Sequence, residues 1–94
     1  LTAVVEISLD NQAAPLLDAF EARAVADAGV QQCYRVSPGP DFCLVVTVAD
    51  MPAYQALAAR LFTADANVRN VKAYFSIKRA KFETKMPLPL THAR

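Results

Sequence analysis

Phe42-Cys43-Leu44-Val45-Val46 is an unbroken apolar run within residues 41–48, and it limits the fold more than any other stretch. Strand alternation would put Phe42, Leu44 and Val46 on one face and Cys43 and Val45 on the other. A strand with one wet face alternates apolar with polar residues, so this one is expected to be covered on both sides. The rest of the chain must supply two covers.

Residues 2–9 (TAVVEISL) alternate, with Ala3, Val5, Ile7 and Leu9 on one side, and read as a strand. Asp10-Asn11 offers turn and N-cap chemistry. Leu16, Leu17, Phe20 and Ala24 then recur at helical spacing over 13–28, with Pro15 in the first turn and Gly29 placed for a C-cap. Segments 30–36 and 41–48 flank a short Pro-Gly-Pro loop and predict a hairpin. Asp50 is placed to cap a helix over 51–63, with Pro52 in its first turn and Tyr54, Leu57, Ala58 and Leu61 as its stripe. Residues 68–82, rich in Val, Tyr, Phe and Ile, read as one long last strand. The PLPL at 87–90 has no place inside a sheet and is expected to be an extended tail.

The order β-α-β-β-α-β predicts an α+β, ferredoxin-like fold: a four-stranded antiparallel sheet with two helices on one face. Two helices cover one face only. The other, which holds Cys43 and Val45, needs a further layer, and the simplest is the same face of a second copy. That makes a homodimer, a dimeric α/β barrel, with Cys43 and Val45 in its interface. One domain over 1–94 is expected from 94 residues that are 54% apolar and 20% charged. The chain begins at Leu1 without a basic-then-apolar leader, so it reads as trimmed or, preferably, as a piece of a longer protein.

Several chemistries find little support. Nothing in the sequence is long and apolar enough to span a membrane. The only histidine, His92, stands near the chain end, where order is usually poorest, which leaves no imidazole for a catalytic dyad or a haem. No metal site and no cofactor is expected, because two cysteines without CxxC or clustered histidines make neither a zinc site nor a disulfide framework. Cys33 and Cys43 would face each other across the hairpin if 37–40 is the turn, but a one-residue register change separates them onto opposite faces. Charge is lopsided: three arginines oppose eight acids over 1–68, while seven basic residues oppose Glu83 over 69–94. The basic end reads as lysines guarding an exposed strand from edge pairing, since it lacks the interleaved aromatics of a single-strand binder.

The hairpin loop is Val36-Ser37-Pro38-Gly39-Pro40-Asp41. Ser37 and Asp41 are residue types that hydrogen-bond turn backbone. They would also suit a cleft, because bare N–H groups around Gly39 favour a carboxylate and Asp41 an ammonium group. The stretch CYRVSPGPDFCLVVTVADMPAYQAL (33–57) resembles the ligand-binding (RAM) domain of the Lrp/AsnC transcription regulators. Their pattern is a hydroxyl-Gly-x-x-Asp-aromatic loop, an apolar strand and a helix opening with Asp, Met or Pro and an aromatic. Ser37, Asp41 and Phe42 match it, and the similarity extends from about residue 2 to 88–90. Pro38 departs, standing where the family usually has glycine. Val71 and Ala73 depart too, since threonines are common there, and Asn67 is a mild change, because Asn tolerates the left-handed conformation a family glycine would take.

The resemblance implies a cytoplasmic, non-enzymatic regulator domain that dimerises sheet to sheet and often assembles as a tetramer of dimers. It implies a small-molecule effector, usually an amino acid, held between dimers beside Val36, Ser37, Pro38, Gly39, Pro40 and Asp41. DNA would be contacted only through a helix-turn-helix domain not present in this chain, unless this is a stand-alone version. The alternatives are a small dimeric-barrel oxygenase of the same topology, an assembly-only domain, or direct nucleic-acid binding by 69–94.

Overall fold

The computed structural model describes residues 1–83. The elements are β1 (Thr2–Leu9), α1 (Ala14–Ala26), β2 (Val30–Arg35), β3 (Phe42–Thr47), α2 (Met51–Ala58) continued by a π-helical turn (Ala59–Thr63), and β4 (Val68–Phe75). The strands form one antiparallel sheet in the order β2-β3-β1-β4. This is the ferredoxin-like arrangement the element order predicts.

Alternation decides what each face does. Ala3, Val5, Ile7 and Leu9 of β1 and Phe42, Leu44 and Val46 of β3 are buried against Phe20 and Ala24 of α1 and Tyr54 and Leu57 of α2. The Phe20 and Phe42 rings pack 4.9 Å apart at its centre. Burying each such side chain stabilises the fold by about 1.5–3 kcal/mol. Cys43 and Val45 point the other way, as does Val4.

Local chemistry sets the helix ends. Asp50 caps α2, its carboxylate accepting from Ala53 N–H at 3.0 Å, and Pro52 sits in the first turn. Alpha1 differs from expectation at both ends. Its N-cap is Ala13, without a side-chain cap, and Asn11 Oδ1 accepts the Ala13 N–H one step earlier at 2.9 Å. Its C-cap is Asp27, in extended conformation, not a left-handed Gly29. Gly29 is required for room: a Cβ there would lie 2.5 Å from Leu57 Cδ1 and 3.1 Å from Val48 Cγ1. Asp27 holds this corner, accepting from Gly29 N–H through Oδ1 and from Arg60 Nε through Oδ2. The Arg60 guanidinium keeps the Asp27 carboxyl below the usual carboxylate range.

Other details differ from the sequence reading or settle what it left open. The last strand stops at Phe75, not 82: its pairing with β1 ends with Phe75 opposite Ala3, and Ser76 N–H donating to Thr2 O closes the ladder. The helix expected over 51–63 is present to its end, α-helical to Ala58 and π-helical over Ala59–Thr63. Asn67 is not left-handed, since no non-glycine described residue has positive φ. Its side chain instead exchanges hydrogen bonds with the Asn11 backbone, at 2.9 and 3.0 Å. Cys33 and Cys43 are both free, and the observed register, Tyr34 opposite Cys43 and Cys33 opposite Leu44, puts them on opposite faces. A bulge between Val30 and Gln32 sets that register. The tail at 87–90 and His92 lie outside the described residues.

Gly29→Ala is expected to lower stability by about 1–3 kcal/mol, the usual cost of overpacking, because Leu57 is fully buried and has little room to yield. Urea denaturation of the two proteins measures it.

Candidate functional site

One end of the sheet gathers three connections: the β1–α1 turn, the β2–β3 loop and the turn that leads into β4. Asp10 N–H donates to Asn67 O at 2.8 Å, and the Asn11–Asn67 exchange ties the first to the third. The β2–β3 loop is tied to the first by Asp41. Asp41 Oδ2 accepts the Leu9 N–H at 2.7 Å and a longer contact from Gln12 Nε2 at 3.4 Å. Its backbone N–H donates to Ile7 O at 2.9 Å and its carbonyl accepts from Val36 N–H at 3.2 Å. Leu9 lies where the sheet ladder shifts register, so its N–H would otherwise lack a partner. Asp41 therefore serves as a clamp between the loop and β1.

The other side of the loop base is also fixed. Arg35, the last residue of β2, reaches α1, donating to Glu21 Oε1 at 2.7 Å and Asp18 Oδ1 at 2.5 Å. Its guanidinium lies 5.6 Å from the Phe42 ring centre. Asp18 and Glu21 raise its pKa above the ordinary arginine value.

From this base the tip stands in solvent. Ser37, Pro38 and Gly39 are exposed, while Val36, Pro40 and Asp41 are half-buried. The Ser37–Pro38 peptide is cis, and Gly39 has φ of 122°, a region that side-chain-bearing residues avoid. Prolines at 38 and 40 have no N–H, so the tip has two donors, Ser37 and Gly39. Neither they nor the Ser37 hydroxyl bond any described residue. The six predicted site residues are thus contiguous in space, with two roles among them: Asp41 holds, and Ser37 and Gly39 present free groups. What sequence reading missed is Leu9 and Gln12, which have no motif of their own.

Val71 and Ala73, which replace the threonines the resemblance leads to, sit on the helix-covered face of β4, opposite Ile7 and Val5. Cys43 and Val45 are half-buried on the helix-free face. Elsewhere, a hollow of about 390 Å³ is lined by Arg23, Arg60, Ala64, Asp65 and Ala66. Its arginines are already engaged, Arg23 with Leu61 O and Asp65 and Arg60 with Asp27. Among the described residues no group of three or more His, Cys, Asp or Glu is placed to hold a metal, and no helix is long and apolar enough to cross a membrane.

The family model for the Lrp/AsnC ligand binding domain matches residues 2–86. The Bkd operon transcriptional regulator of Pseudomonas aeruginosa is 31% identical over 88 residues, which cover 94% of this chain and 58% of that protein. An HTH-type transcriptional regulator of Haemophilus influenzae is 29% identical, over 89% of this chain and 50% of its own length. The chain thus spans about half the length of the curated relatives it matches. Among solved structures, an AsnC family regulator from Agrobacterium tumefaciens superposes with a TM-score of 0.82 at 29% identity, covering 92% of this chain and 56% of that one. A Neisseria meningitidis transcriptional regulator in complex with L-Met gives the same TM-score of 0.82 at 22% identity, covering 93% and 56%.

Asp41→Ala is expected to cost about 1–3 kcal/mol of stability, because it leaves the partly buried Leu9 N–H unpaired. Asp41→Asn, which keeps an acceptor oxygen, should recover part of it. Thermal or urea unfolding of the three proteins measures both, and equal stability would remove the clamp role.

Proposed function

We propose, from the premise that this chain belongs to the Lrp/AsnC ligand binding domain family, that it is the effector-binding and oligomerisation domain of a transcription regulator. It acts by binding and assembly, not by catalysis, in the cytoplasm, and DNA is contacted by a helix-turn-helix domain outside this chain. Residues 1–94 work as a single domain. Two copies pair through the helix-free sheet face, with Cys43 and Val45 in the contact, and dimers associate further.

The effector is a small molecule, an amino acid, bound beside Val36–Asp41. The observation that carries this reading is the loop tip: two unpaired N–H groups and a free hydroxyl, exposed on a base that is fixed at both ends. Donors in such an arrangement suit a carboxylate. A single chain leaves them in open solvent, so the cleft is completed by a neighbouring dimer. The L-Met complex of the Neisseria relative supports the amino-acid class. The enzyme alternative gains no support from the geometry, and the regulator names of the relatives favour the first reading.

Two measurements test it. Calorimetry with a panel of amino acids that includes L-Met is expected to give micromolar binding to the wild type and about tenfold weaker binding to Ser37→Ala, the loss of one good hydrogen bond. Ser37→Ala leaves the Asp41 clamp intact, so the fold is unaffected. If no amino acid binds the assembled protein, the effector assignment is withdrawn and the assembly role stands. Sedimentation is expected to show a dimer for the wild type and a monomer for Val45→Asp, since an unpaired buried charge is costly. A wild type that sediments as a monomer at micromolar concentration overturns the pairing.

A further inference from the structure

The helix-free face of the sheet holds Val4, Tyr34, Cys43, Val45 and Tyr74 together, and the two charged residues set among them are informative. One row across the strands is Gln32–Val45–Val4–Tyr74, and the next is Tyr34–Cys43–Glu6–Lys72. An acid and a base therefore stand side by side on the two strands β1 and β4, next to Cys43. Glu6 is already half-buried in the single chain. Glu6 and Lys72 are not within ion-pair distance of each other or of any other described charge. The Lys72 ammonium lies instead over Tyr74, 5.6 Å from the ring centre.

A layer placed on this face withdraws both charges from water. A buried charge without a partner is strongly unfavourable, so whatever covers the face must supply an anion near Lys72 and a cation near Glu6. A second copy of this chain carries both, on one row. We propose that Glu6 and the partner subunit's Lys72 form a reciprocal charge pair that fixes the register in which two copies meet. Two-fold symmetry makes the contact twice, each acid meeting the other copy's base. A slid register brings like charges together or leaves both unpaired, which rejects it. The inference rests on the face-to-face pairing proposed above and adds what selects the alignment and the partner.

The competing explanation is an ordinary cross-strand pair within one chain. Charge reversal separates them. E6K carries two cations on the row and K72E two anions, so each repels its own copy, yet the two complement each other. By sedimentation equilibrium at low salt, each reversal alone is expected to weaken self-association about tenfold or more, and an equimolar mixture to associate within about threefold of the wild type. The double variant E6K/K72E should also recover. A mixture as dissociated as its components overturns the proposal, because an intrachain pair is broken in both proteins and mixing repairs neither. Single reversals that associate like the wild type overturn it too, and leave the pairing of the faces standing. A wild type that is monomeric at tens of micromolar overturns both. If a reversal fails to fold, the neutral variants E6Q and K72M test the contact in a double-mutant cycle of association. Coupled losses are expected, and additive losses overturn the proposal.

Discussion

Beta1 is the strand on which everything else registers. It pairs with β3 on one side and β4 on the other, and its four inward residues are almost completely buried. Its ladder with β4 runs from Leu9 to Ala3, and Ser76 N–H donating to Thr2 O closes that ladder. Its far end fixes the hairpin loop, because the Leu9 N–H, stranded at the ladder's shift, is the group that Asp41 satisfies. A central strand with both edges occupied tolerates no slip, since a one-residue shift would turn Ile7 outward and Glu6 into the core.

Most of the architecture was legible because it rests on period. Alternation in 2–9 and the continuous run in 42–46 announced strands, and helical spacing of Leu17, Phe20 and Ala24 announced a helix. What was not legible depended on distant partners. The end of β4 is set by its pairing with β1, some seventy residues away in the chain. Gly29 reads as a cap by position, yet its reason is Leu57, which only the folded chain brings near. The cysteine register depends on a bulge at Gln31, which no residue type in that stretch advertises. The π-turn after Ala58 has no sequence signal that we can identify.

The loop was legible as a place but not as a division of labour. Ser37, Gly39 and Asp41 stand out as turn and binding residue types, and they are indeed together. That Asp41 faces inward on a backbone N–H, while Ser37 and Gly39 are left unpaired, follows from Leu9, which looks like any core leucine in the sequence. Asp41 is therefore poorly placed to be read as a free acid for an ammonium group: one of its oxygens is committed to β1. The Ser37 and Gly39 donors are the uncommitted chemistry of the loop.

This division bears on how a ligand could influence assembly. A ligand that touched only one chain would bind equally well whether or not that chain was assembled, and equal affinity for two states shifts neither. To change the assembly it must contact groups that come together only there. In the proposed cleft the exposed tip would meet that condition, since Ser37 and Gly39 offer donors but no enclosing wall in the single chain. The clamp satisfies a second one. Asp41 ties the tip to the end of β1, and Arg35 ties it to α1, so the loop is presented at a fixed position relative to the helix-free face three residues away along the same strand. A tip that moved freely would lose ordering entropy on each binding event and report little about how the copies are arranged. On the function proposed above, a tip fixed to β1 would carry the geometry of the paired faces to the bound ligand, and β1 would couple ligand affinity to assembly geometry.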